Sequence, residues 1–78
     1  MTDYRPVDCG LHSEFELAVL RRQPVRISWQ SKDGQAHIEV LTPVDLLTRQ
    51  HEEYLVLADE NRQQHALRLD HILKMENL

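Results

Sequence analysis

From Val25 onward the apolar side chains fall at every second position, and this two-residue period, punctuated by turn residues, constrains the fold more than any other feature of the chain. Val25, Ile27 and Trp29 point one way and Arg26, Ser28 and Gln30 the other, which predicts a strand with one wet face. Lys32-Asp33-Gly34 supplies an Asp-Gly turn, and the chain returns through Ala36, Ile38 and Val40 on a second alternating face, completing a hairpin. Thr42-Pro43 interrupts that return, after which Val44, Leu46 and Leu47 continue up to the polar stretch Thr48 to Glu53. The pattern fits either one bent strand or a strand followed by a short third one. Glu53 to Ala58 is dense in β-formers, and Asp59-Glu60-Asn61 makes the next turn. His65, Leu67 and Leu69 alternate with Ala66, Arg68 and Asp70, so that Arg68 and Asp70 read as a solvated strand face. Ile72, Leu73 and Met75 form a last short strand after a tight turn around Asp70-His71.

Ahead of the strands the period is helical. Ser13-Glu14-Phe15-Glu16 has the Ser-x-x-Glu form of a capping box and predicts a helix from Glu14 to about Arg22. Phe15, Ala18, Val19 and Arg22 share one stripe that Leu17 and Leu20 widen, and Gln23-Pro24 ends the helix. Residues 1–12, with Pro6 and Gly10, read as an irregular lead-in to a single domain over 1–78. The expected class is mainly β with one N-terminal helix: a small Sm-like or SH3-like barrel of five or six short, bent antiparallel strands. Closing the sheet also hides edges that so short a chain could not otherwise protect. Phe15, Trp29 and Tyr54, each in phase with apolar neighbours, are expected in the core.

Charge narrows the function. Thirteen acidic against nine basic side chains give a formal charge of -4, which repels phosphate backbones and anionic membranes and favours a basic partner. The first 20 residues are locally negative, with Asp3, Asp8, Glu14 and Glu16 against Arg5 alone. Two readings are open for Glu14 and Glu16: capping and dipole complementation at a helix start, or docking into a positive groove. The only basic cluster is Arg21, Arg22 and Arg26, without the interleaved exposed aromatics of a single-strand binder, so no direct nucleic-acid contact is expected; a small Sm-like RNA-binding module is the alternative.

No nucleophile, base and stabiliser converge in the sequence, and the chain does not read as an enzyme. Cys9 with His12 reads as an incidental cysteine near a histidine, and neither a metal site nor a cofactor is expected. The five histidines, His12, His37, His51, His65 and His71, are scattered rather than set at ligand spacing. One cysteine, no signal-like N-terminus and no apolar run near the ~18 residues that cross a bilayer fit a cytoplasmic protein without a membrane segment.

The lead-in Tyr4-Arg5-Pro6-Val7-Asp8-Cys9, the helix start Phe15-Glu16-Leu17-Ala18, the Lys32-Asp33-Gly34 hairpin, and Glu53-Tyr54-Leu55-Val56-Leu57 followed by Leu67-Arg68-Leu69-Asp70 together resemble the Rof family of Rho-binding antiterminators. The resemblance runs from Tyr4 to Met75 and rests on the order and spacing of these segments. It implies an Sm-like barrel with an N-terminal helix, and a monomeric inhibitor that covers the primary RNA site on the N-terminal OB domain of the Rho helicase. Carried onto this chain, the partner-facing residues it implies are His12, Ser13, Glu14 and Glu16 near the helix start, with Arg49, Gln50 and His51 in the loop before the Glu-Tyr-Leu strand. Glu16 matches the family pattern directly. Where relatives carry a run of aspartates and a tyrosine after the cysteine, this chain has Gly10-Leu11-His12-Ser13, with Glu14 one position away.

Overall fold

A computed structural model describes residues 4–78. Asp3, counted above with the acidic end, lies outside the described residues. One helix, α1 (Cys9–Arg21), is followed by five strands: β1 (Val25–Gln30), β2 (Ala36–Arg49), β3 (Glu52–Ala58), β4 (Gln64–Arg68) and β5 (Ile72–Asn77). A single 3-10 turn, Leu69–His71, links β4 to β5.

The helix begins four residues after Arg5, not at Glu14. Asp8 is the N-cap, its carboxylate accepting the Leu11 N–H at 2.8 Å, and the His12 N–H closes onto the Asp8 carbonyl at 2.9 Å. The expected capping box is therefore absent: Ser13 and Glu16 lie inside the helix, no acidic residue occupies its first turn, and the lead-in is shorter than residues 1–12. Gly10 hid this start, because a glycine costs about 1 kcal/mol relative to alanine inside a helix and reads as irregular, yet an aspartate cap tolerates it nearby. At the other end Arg22 turns left-handed, with φ 49°, and its N–H returns to the Ala18 carbonyl at 3.0 Å. The buried stripe is narrow, with Phe15 and Ala18 buried and Leu11 and Val19 partly so; Leu17 and Leu20, expected to widen it, are exposed.

The strands are all antiparallel in the order β4-β3-β2-β1-β5. β2 is one continuous bent strand. Its first half pairs with β1, from Gln30↔Ala36 to Val25↔Leu41, and its second half with β3, from Thr42↔Ala58 to Arg49↔Glu52. Fourteen residues held straight would span about 43 Å, whereas the longest extent of the molecule is 34 Å, so the strand must coil. Buried Pro43, which has no N–H for the ladder, and the register shift between Pro43 and Asp45 are where it does so.

The sheet curls as a whole. β4 and β5 are its opposite edges, which in a flat five-stranded sheet stand about 19 Å apart. The chain from Arg68 to Ile72 reaches at most about 14 Å even when extended, and the 3-10 turn shortens it further. The edges are thus drawn together at that end, giving a barrel-like shape, although among the described residues no strand pairing joins β4 to β5. The core inside the curl is Phe15, Val25, Ile27, Leu41, Leu55, Leu57 and Leu69.

Three expectations about side chains change. The β1–β2 connection, Ser31–Gln35, is closed by Ser31 N–H to the Gln35 carbonyl and Gly34 N–H to the Ser31 carbonyl, with Gly34 at φ 87°. Its length places His37, Glu39 and Leu41 opposite Trp29, Ile27 and Val25, so Ile38 and Val40 stand on the outer face, 68% and 52% exposed. Phe15 is fully buried as expected, but Trp29 and Tyr54 are only half-buried; the Trp29 indole stacks on the His37 ring at 5.3 Å.

Candidate partner-binding site

The expected partner-facing residues come from α1 and the β2–β3 turn. That turn is a two-residue loop, Gln50-His51, between the paired Arg49 and Glu52, with both residues left-handed at φ 52° and 66°. This is the backbone of a hairpin turn that favours Asn-Gly. Side chains with a Cβ hold it at a cost of about 1–2 kcal/mol each. The result is a tight tip on which Arg49, Gln50 and His51 are all exposed, and two carboxylates, Glu52 and Glu53, follow at once on β3.

His12 connects the helix to this hairpin. Its Nδ1 lies 2.9 Å from Glu16 Oε1, one helical turn on, and its Nε2 lies 3.3 Å from Glu53 Oε2. The Tyr4 hydroxyl donates to the same Glu53 oxygen at 3.4 Å. Together His12, Glu16 and Glu53 line a shallow hollow of about 270 Å³ with Leu46, Leu47 and Thr48 of β2. Glu16 is 57% exposed with its carboxylate against the His12 ring, Arg22 donates to the Val44 carbonyl, and among the described residues no ion pair joins Glu14 or Glu16 to Arg21, Arg22 or Arg26.

Of the residues implied by the resemblance, His12 and Glu16 thus meet the foot of the hairpin. Ser13 and Glu14 are exposed on the helix but do not line the hollow, and Arg49, Gln50 and His51 stand at the hairpin tip outside it. Sequence reasoning missed Glu53 and Tyr4. The available signal for Glu53 was its place at the end of the β3 ladder, opposite Thr48 and close to the turn.

A second cluster holds the lead-in in place. Arg68 forms a bidentate pair with Asp70, Nε to Oδ1 at 2.6 Å and Nη2 to Oδ2 at 2.8 Å, and its Nη1 lies 3.5 Å from Glu52 Oε2. Its guanidinium carbon sits 5.6 Å from the Tyr4 ring centroid, and Asp70 Oδ2 also accepts the Arg5 N–H at 3.1 Å. The Arg68 and Asp70 side chains are only 11% and 9% exposed, which overturns the solvated strand face expected for them. Burial acts to raise the Asp70 carboxyl, but the hydrogen bonds from Arg68 and Arg5 outweigh it and hold the group below its ordinary value. Burial first, then the Glu53 and Asp70 charges, raise the Tyr4 hydroxyl. The Tyr54 hydroxyl is raised chiefly by the 2.7 Å bond it donates to Glu52. Arg68 therefore seats Tyr4, and Tyr4 reaches Glu53.

Other chemistry-bearing residues do not assemble around the hollow. Cys9 is free and exposed on the helix, and His65 pairs with Asp59 at 3.0 Å on the far turn. Among the described residues no group of three His, Cys, Asp or Glu could hold a metal ion, and no helix is long and apolar enough to cross a membrane.

The model of a protein family described as "Modulator of Rho-dependent transcription termination (ROF)" matches residues 6–78. No curated protein matches the chain.

Proposed function

We propose, from the premise that this chain belongs to the Rof family of modulators of Rho-dependent transcription termination, that it docks on Rho's N-terminal OB domain, covers the primary RNA-binding site and blocks RNA loading. The outcome would be antitermination by a monomeric cytoplasmic protein that does not itself bind nucleic acid and performs no catalysis. One observation carries the reading: Glu16 of α1 and Glu53 of β3 place carboxylates from two elements around one hollow, at the foot of an exposed hairpin tip. A cleft built to attract phosphates attracts carboxylates for the same Coulombic reason, and the neighbouring Asp8 and Glu14 extend the negative field across the helix. Ser13, Arg49, Gln50 and His51 would supply hydrogen bonds at the rim.

Competition binding tests this. The protein should displace a short labelled single-stranded RNA from Rho, with an affinity that falls as salt is added. Glu16→Lys should weaken it by roughly tenfold or more, the equivalent of about 1.4 kcal/mol, with the thermal transition unchanged. Displacement that ignores both salt and Glu16→Lys would remove the electrostatic mechanism; failure to displace RNA at all would remove the proposed target site.

A further inference from the structure

Both nitrogens of the His12 ring lie against carboxylate oxygens, Nδ1 against Glu16 and Nε2 against Glu53. A neutral imidazole has one N–H and one lone pair, so it can donate to only one of two carboxylates; the other contact would set a lone pair against an anionic oxygen. Only the doubly protonated imidazolium satisfies both contacts at once. This is the geometry that a charged ring would satisfy, and it ties together the two carboxylates on which the docking reading depends.

We infer that His12 is an acid-strengthened clasp: its protonation draws Glu16 and Glu53 onto the imidazolium and withdraws them from a cationic partner, so that Rho binding weakens as pH falls. The inference rests on the docking reading above and adds a regulation of that site. With the ring charged, the trio carries a net charge of about -1; with the ring neutral it carries about -2, and one of the two contacts loses its donor. The Glu53 contact is the longer of the two, and Glu53 keeps the Tyr4 hydroxyl as a donor when the ring lets go. The charged groups against the ring are Glu16 on α1 and Glu53 on β3, with Tyr4 of the lead-in bonded to Glu53 and Asp8, the helix N-cap, one turn earlier in the chain. β2 contributes Leu46, Leu47 and Thr48, which do not titrate.

Two measurements on the full chain test the clasp, one of which does not involve Rho. Ring-nitrogen NMR of the free protein should show His12 losing its charge at a lower pH in Glu16→Gln and Glu53→Gln than in the unaltered chain, because each variant removes a partner of the charged form. Binding to Rho is then compared at about pH 5.5 and about pH 8, a span that brackets imidazole titration, for the unaltered chain and for His12→Gln. The unaltered chain should lose about three- to tenfold more affinity on acidification than His12→Gln does, the scale of one exposed ion pair. The comparison cancels titration on Rho itself. Parallel pH dependences, or a His12 midpoint indifferent to both glutamine variants, would overturn the clasp. A midpoint that responds as expected, with no Rho binding at either pH, would uphold the contact within this protein and overturn the docking reading instead.

Discussion

Replacing Arg68 with alanine isolates the contribution of the cluster that seats the N-terminal lead-in. The substitution strands Asp70, 9% exposed, and Glu52, 20% exposed, without their guanidinium, and removes the cation from the Tyr4 ring. Breaking a fully buried pair costs about 3–5 kcal/mol. This pair retains some solvent and Asp70 keeps the Arg5 N–H, which brings the cost to roughly 2 kcal/mol once screening is allowed for. A chain of this size has only about 3–5 kcal/mol to lose. At about 4–8 °C per kcal/mol the midpoint should fall by roughly 8–16 °C, followed by circular dichroism at neutral pH. Arg68→Lys keeps the charge but loses the planar fork, and should fall between the two. Acidification gives the sign independently. Asp70 titrates below its ordinary value when folded, so its stabilisation is fully present above about pH 4 and is lost as pH falls through the lower folded value. Arg68→Ala should flatten that part of the acid limb. A midpoint shift under about 3 °C, with an unaltered acid limb, would refute the assignment of Arg68 and Asp70 to a coupled, half-buried pair.

Two further outcomes follow from the same geometry. Asp8→Ala should cost about 1 kcal/mol of unfolding free energy by urea titration, while Ser13→Ala should stay within about 0.5 kcal/mol; the reverse ranking would restore a helix start at Ser13. The Tyr4 hydroxyl is raised in the folded chain, so folding favours the neutral phenol: the associated stability is present below about pH 10 and is lost as pH rises through the folded value. Tyr4→Phe should remove part of the alkaline fall in stability, and identical alkaline limbs would rule out the buried placement of the hydroxyl.

Residues whose pattern is local were the readable ones. Val25, Ile27 and Trp29, and the run from Glu53 to Ala58, carry the two-residue period so strongly that their strands followed from spacing alone. The helix start did not, because Ser13-x-x-Glu16 offers the same capping chemistry as Asp8, and Gly10 between them reads as a break. The inward phase of β2 depends on the length of the Ser31–Gln35 connection, and a one-residue difference exchanges Ile38 for His37. At the site, α1 and the β2–β3 turn could be named from the resemblance. The meeting of Tyr4 with Glu53 spans 49 positions and exists only in the folded chain, whereas that of Arg68 with Glu52 spans 16 and follows from the pairing of β3 with β4, in which Arg68 stands opposite Tyr54.

Strand order also governs how the chain can assemble. The β1–β2, β2–β3 and β3–β4 pairings each join neighbours in sequence, but β1 must wait for its second partner until Asn77 arrives opposite Val25. That closure bears the largest loop entropy and should come last on the folding route. Until it does, the vacant margin of β1, with Val25 and Ile27 beside it, is the place where another partly folded copy could add itself in register, so crowding during synthesis or refolding would be felt there first.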